Sequence, residues 1–114
     1  MKKIYDIIEL PKNFDPRGSL TVVEENITIP FDIKSISWKY KMKNHEEFPV
    51  ATDANHHKLF VALHGSFHVI LVDNGMKRAY LLDNPHQGLI LYPDSKVSIK
   101  TRQEGSVLLE LSSK

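Results

Sequence analysis

Apolar and β-branched residues in this chain fall in short runs, interrupted at roughly 8–12-residue intervals by Gly, Pro, Asn or Asp. The runs at 19–24, 33–40, 59–63, 67–72, 77–82, 88–92, 97–100 and 106–111 read as strands. No stretch carries the apolar period of an amphipathic helix of three turns or more. Asn74-Gly75 is the dipeptide that a two-residue hairpin turn selects, and Gly65-Ser66 marks a corner between two further runs. Leu59-Phe-Val-Ala-Leu63 and Val107-Leu-Leu-Glu-Leu111 are apolar at successive positions, so both of their faces are expected to be covered. The pattern predicts an all-β fold: a small barrel whose outer face meets a second sheet or a partner subunit, with a monomeric sandwich as the alternative.

Composition narrows the function classes. Fifteen Lys and Arg against 14 Asp and Glu leave a net charge of +1 with both signs scattered, which supplies no basic field for a nucleic-acid backbone. Cysteine is absent, which removes disulfides, thiolate metal sites and thiol nucleophiles together. No window approaches the ~18 apolar residues of a membrane span, and Asp6 and Glu9 break the N-terminal apolar run, so no signal peptide is expected. These features predict one soluble cytoplasmic domain over residues 1–114, with neither nucleic acid nor membrane as partner. Edge strands in so small a barrel predict a homodimer that covers them.

Six histidines raise the question of a metal, and their spacing argues against one. Metal-binding cupins, which the Gly65 corner resembles, place a His-x-His pair and then a Glu ahead of that Gly, and a further His on a later strand. Counted back from Gly65, the Glu ligand falls on Lys58, whose ammonium donates and does not ligate, and the last His falls on Ser98. No metal and no other cofactor is expected.

The ordered series Asp15-x-Arg17-Gly18-Ser19-Leu20, Glu24-Glu25-Asn26, Ile29-Pro30-Phe31-x-Ile33-Lys34, Leu63-x-Gly65-Ser66 and Val69-Ile70-Leu71-x-Asp73-x-Gly75 carries a more specific likeness. It resembles the nucleoside-diphosphate-sugar 3,4-ketoisomerases, the WxcM-like or FdtA-type cupins related to the deoxysugar 3,5-epimerases, from Phe14 to Leu111. The resemblance implies an RmlC-like jelly roll, that is, a double-stranded β-barrel, commonly dimeric. It also implies a dTDP-linked 4-keto-6-deoxyhexose as ligand and metal-free acid/base isomerisation as the reaction. In active members a His-Ala-His-Lys segment supplies the acid/base group. Aligned without gaps on Gly65-Ser66, that segment falls on Ala51-Thr52-Asp53-Ala54, and the Arg preceding it falls on Phe48. The family's Arg-Val-Tyr-Tyr falls on Ser35-Ile36-Ser37-Trp38. The scaffold is kept while much of the site is altered. The alternative function is therefore a catalytically degenerate cupin of polysaccharide or deoxysugar biosynthesis that binds a sugar or a protein partner.

Relocated chemistry has its own candidates. If the barrel-facing parity is that of Leu59, Val61 and Leu63, then His57, Asn55 and Asp53 share the interior, and His56 and Lys58 turn away. His57 is then the catalytic base and Asp53 the carboxylate that fixes its tautomer. The other reading leaves His56 and His57 in a polar loop entering the strand. Arg17 is either a phosphate anchor through its guanidinium fork or part of a turn that aims the chain into its first strand. Glu24 is either a barrel-facing carboxylate of the substrate site or an exposed rim residue. Trp38 and Tyr40 share a strand face, and either stack on a base or sugar ring or belong to the core. His64 and His68 are expected on the outer surface or at a subunit contact, and His45 and His86 in loops.

Overall fold

A computed structural model describes residues 3–114, and of Asp15 the backbone alone. The described residues form eleven strands and no helix: β1 (Tyr5–Glu9), β2 (Lys12–Asp15), β3 (Gly18–Thr21), β4 (Ser35–Met42), β5 (Glu47–Ala51), β6 (Lys58–His64), β7 (Phe67–Asp73), β8 (Met76–Leu82), β9 (Gln87–Leu91), β10 (Lys96–Thr101) and β11 (Ser106–Ser112). No helix among them is long and apolar enough to cross a membrane. Five strands pair in the order β1-β9-β6-β11-β4, four in the order β5-β10-β7-β8, and β2 and β3 form a separate hairpin. Every pairing between strands is antiparallel.

The turns follow from local chemistry. Asn74 (φ 53°) and Gly75 (φ 76°) are both left-handed, the requirement of a two-residue turn whose twist matches the β7–β8 hairpin. Gly65 serves the β6–β7 corner in two ways. Its φ of 79° disfavours a side chain, and a Cβ there would lie 2.1 Å from Ser106 Oγ, which instead accepts the Ser66 N–H. The strand expected over 19–24 ends at Thr21. Past it the Glu24 carbonyl accepts the Thr28 N–H at 3.0 Å and the Glu25 carboxylate accepts the Ile33 N–H at 2.8 Å. The segment that follows β3 thereby lays Ile29 and Phe31 on the outside of the five-stranded sheet.

Covering of both faces, expected for β6, is what the structure has: Leu59, Phe60, Val61 and Ala62 are each no more than 2% exposed. Phe60 and Ala62 point into the barrel with Val69, Ile99, Leu89 and Leu108. Leu59 and Val61 point outward into a second cluster with Leu10, Ile29, Phe31 and Leu111. The parity set out above is thus corrected by one residue. The barrel interior belongs to the Phe60 row, because the outer sheet face has its own apolar cover and the run shows no polar side. β5 contains Pro49, which is tolerated because the strand lies at a sheet edge and pairs only with β10.

The barrel closes differently on its two sides. Between β1 and β8, the hydroxyls of Tyr5 and Tyr80 hydrogen-bond across the seam. That bond, with burial, pushes the Tyr5 phenol up to about 12. On the opposite side, β4 pairs with β11 and β5 with β10, so both are sheet edges, and every residue of β4 before Met42 is exposed. The mouth opens there, between the start of β4 and the end of β5.

Candidate functional site

The inward row of β6 runs Ala62, Phe60, Lys58, and the inward row of β11 runs Leu108, Glu110, Ser112. Lys58 faces Ser112 in the register, and its ammonium lies 3.6 Å from the Glu110 carboxylate, a diagonal cross-strand pair. At the end of β5 the chain turns back toward β6. Thr52 clamps this turn: its hydroxyl donates to the Tyr92 carbonyl at 2.7 Å and accepts the Ser95 N–H at 2.8 Å. Asp53 follows, and its Oδ1 accepts the Asn55 N–H at 2.9 Å, a local turn typical of Asp. The result is a hollow of ≈ 160 Å³ in which Asp53, His56, Lys58, Ser112 and Lys114 meet.

Asp53 pairs with His56, not with His57. The His56 Nδ1 lies 2.7 and 2.8 Å from the two carboxylate oxygens. The Asn55 N–H, then His56 and the nearby Lys114 ammonium hold the Asp53 carboxyl below its ordinary range. An ionised carboxylate accepts only, so Nδ1 carries a proton, and in the neutral ring the lone pair is on Nε2, the tautomer of a general base.

His57 occupies the outer cluster. Its ring stacks on Phe31 (centroids 5.2 Å apart, planes at 16°) and meets Tyr92 edge-on, while the His57 backbone N–H donates to Ser113 Oγ. Burial lowers its pKa from 6.5. The folded state therefore resists protonating it while the unfolded chain does not, so stability is whole above pH 6.5 and declines as pH falls below that value. His57→Phe keeps the stack and removes the titration. Its urea midpoint is expected to vary less than that of the unmodified protein between about pH 7 and 5, and identical pH profiles would refute the account.

The other residues singled out in the sequence lie elsewhere. Arg17 is in the β2–β3 turn, exposed. Glu24 is exposed, and its backbone closes the turn at Thr28. Trp38 and Tyr40 are 58 and 62% exposed, outside the core. Trp38 sits opposite Leu109 on the outer face of the five-stranded sheet, beside Ile36. Below them, Lys12, Ser19 and Thr21 of the hairpin and Val61, Leu63 and Leu109 of the sheet border a groove of ≈ 530 Å³.

The sequence turned His56 and Lys58 away from the interior, or left His56 in a loop, and did not single out Glu110. A signal for two of them was present: Lys58 and Glu110 are the charges within or at the end of runs apolar on both faces, and a charge so placed needs a partner. Among the described residues no group of three His, Asp or Glu side chains converges as a metal-ligand set.

With this geometry in place, the chain can be set beside known proteins. A profile of the FdtA family, "WxcM-like, C-terminal", matches residues 3–114. A TDP-4-oxo-6-deoxy-alpha-D-glucose-3,4-oxoisomerase of Aneurinibacillus thermoaerophilus is 36% identical over 87 residues, 76% of this chain and 63% of that relative, so the match spans less than two thirds of the relative's length. Among solved structures, a mutant of the 3,4-ketoisomerase QdtA from Thermoanaerobacterium thermosaccharolyticum, in complex with TDP-4-keto-6-deoxyglucose, superposes with a TM-score of 0.90. It is 28% identical, and the match covers 100% of this chain and 83% of that one. The TDP-quinovose 3,4-ketoisomerase WlaRB of Campylobacter jejuni gives 0.89 at 27% identity, over 96 and 85% of the two chains. The two-sheet barrel is the RmlC-like cupin expected from the sequence, and this chain belongs to the WxcM-like, C-terminal family, the FdtA-type cupins related to sugar 3,4-ketoisomerases.

Proposed function

We propose that this protein interconverts the 4-keto and 3-keto forms of a nucleotide-linked 6-deoxyhexose, with His56 as base and Asp53 as the group that orients it. The observation that carries the reading is the Asp53–His56 pair bordering the same hollow as Lys58. A C–H beside a carbonyl is acidified by that carbonyl. A neutral imidazole within reach removes its proton, and the resulting enediolate takes a proton back at the neighbouring carbon. The geometry favours His56 over His57 because His57 is committed to the Phe31 stack. A soluble, charged nucleotide sugar does not cross a bilayer unaided, so a cytoplasmic location belongs to the same reading.

Assembly is part of it. Ile36, Trp38, Tyr40 and Leu63 leave an apolar outer face, and the hairpin holds Phe14 84% exposed, more than a monomer this small keeps in water without reason. In this reading the face is a homodimer contact, Trp38 and Tyr40 belong to it, and Arg17 reaches the diphosphate from a hairpin that stands toward the second copy. Glu24 stays at the rim. Ile36→Asp with Trp38→Glu is expected to convert a dimer to a monomer in sedimentation velocity. A protein already monomeric at ~100 μM, well above the Kd of a standard-size interface, would remove the dimer from the reading.

The binding-only alternative rests on the resemblance: aligned without gaps on Gly65-Ser66, Ala51 and Asp53 stand where active members carry two histidines. Incubation with TDP-4-keto-6-deoxyglucose in deuterated water, followed by NMR, separates the two. Deuterium entry at C3 supports the isomerase, and binding without entry favours the alternative.

A further inference from the structure

Lys58 lines the hollow at the barrel mouth and carries an ion-pair partner, Glu110, on the neighbouring inward row, a second titratable pair that a base and its orienting carboxylate leave unused. Lys58 and Glu110 lie 3.6 Å apart with side chains 25 and 28% exposed, both on inward rows. Taking two charges partly out of water is costly, and an apolar pair at the edge of this core would avoid that cost, so the pair invites a function. The chemistry proposed for the site supplies one. Moving a carbonyl from C4 to C3 relocates one proton between carbons and another between oxygens, and a single imidazole facing the ring carbons does not also serve both oxygens.

We infer that Lys58 and Glu110 carry the oxygen-bound proton, an inference that rests on the isomerase reading of the same hollow. As His56 takes the C3 proton, the C3–H electron pair becomes the C3=C4 bond. The C4=O π pair moves onto O4, which receives a proton from the Lys58 ammonium. The O3 hydroxyl then loses its proton to the Glu110 carboxylate and its O–H pair forms C3=O. The C3=C4 pair meanwhile captures the proton held by His56 at C4. Glu110 returns its proton to the Lys58 amine across their contact, and both groups end as they began. Opposite charges at that distance favour the ionised pair, so the reset is downhill.

The test separates enolisation from isomerisation, using the full chain with TDP-4-keto-6-deoxyglucose in deuterated water. For Glu110→Gln, 3-keto product formation is expected to fall by ~100-fold or more while deuterium entry at C3 stays within ~10-fold of the unmodified protein. Lys58→Met is expected to depress both. A structural role for Glu110 would lower entry and product together, so an unchanged ratio between them overturns the inference. If the unmodified protein admits no deuterium, the isomerase reading itself falls and takes the inference with it. Should Glu110→Gln lose its thermal transition, Glu110→Asp is judged by the same ratio: product lowered more than entry supports the proton carrier, and equal lowering overturns it.

Discussion

His56→Ala is expected to slow deuterium entry at C3 of TDP-4-keto-6-deoxyglucose by about 10²–10⁴-fold, the range a positioned general base supplies. The expectation comes from geometry. The Nδ1 of His56 is engaged by both oxygens of Asp53, which leaves Nε2 as the free base, and the ring borders the hollow with Lys58. Asp53→Asn should also slow it, because the amide sets an NH2 donor beside Nδ1, favours the tautomer with the proton on Nε2 and no longer stabilises the imidazolium that forms. His57→Phe should leave the rate close to that of the unmodified protein, since that ring packs on Phe31 outside the barrel. The reverse outcome, with His56→Ala fully active and His57→Phe inactive, would restore the parity first read from the sequence and dismantle the site described above.

The amino-acid sequence records some of these elements and hides others, for physical reasons. The β7–β8 hairpin was legible because a type I′ turn requires two left-handed residues and Asn-Gly is the pair that accepts them. β5 was hidden by Pro49, which in a central strand would break the ladder and at this edge does not. β1 carries Asp6 and Glu9 among its apolar residues and reads as a broken run, yet Tyr5 and Ile7 alternate onto the barrel core. β6 is the instructive failure. Its fold was clear because both faces are apolar, and for that same reason its parity was not, since alternation is the only sequence record of which way a strand faces. One residue of parity moved the candidate base from His57 to His56 and turned Lys58 into the site. The apolar outer face was likewise visible as residue types and ambiguous in use: Trp38 and Tyr40 share a row, and only the burial shows that they stand outside the core.

Phe60→Ala is expected to cost about 3–5 kcal/mol, the usual loss when a buried aromatic side chain is removed. The ring is 1% exposed and pairs across to Leu89 and Glu110 in the middle of the inner cluster, one position along the inward row from Lys58. A barrel closed by strand pairing on either side of β6 collapses poorly into such a void, which places the site at the upper part of that range. For a chain of this size the loss corresponds to a fall of about 12–30 °C in Tm. Phe60→Leu, which restores most of the volume, should lose under about 1.5 kcal/mol. The comparison also bears on function, because Phe60 supports the floor beneath the Lys58–Glu110 pair. A variant that stays folded at 20 °C with the void open admits more water around that pair, already 25 and 28% exposed, and further screening weakens the contact that returns the proton. Phe60→Ala should therefore lower 3-keto product formation more than deuterium entry, in the same sense as Glu110→Gln and to a smaller degree. A stability loss below ~1 kcal/mol would show that the β6 interior row does not bear on the barrel core.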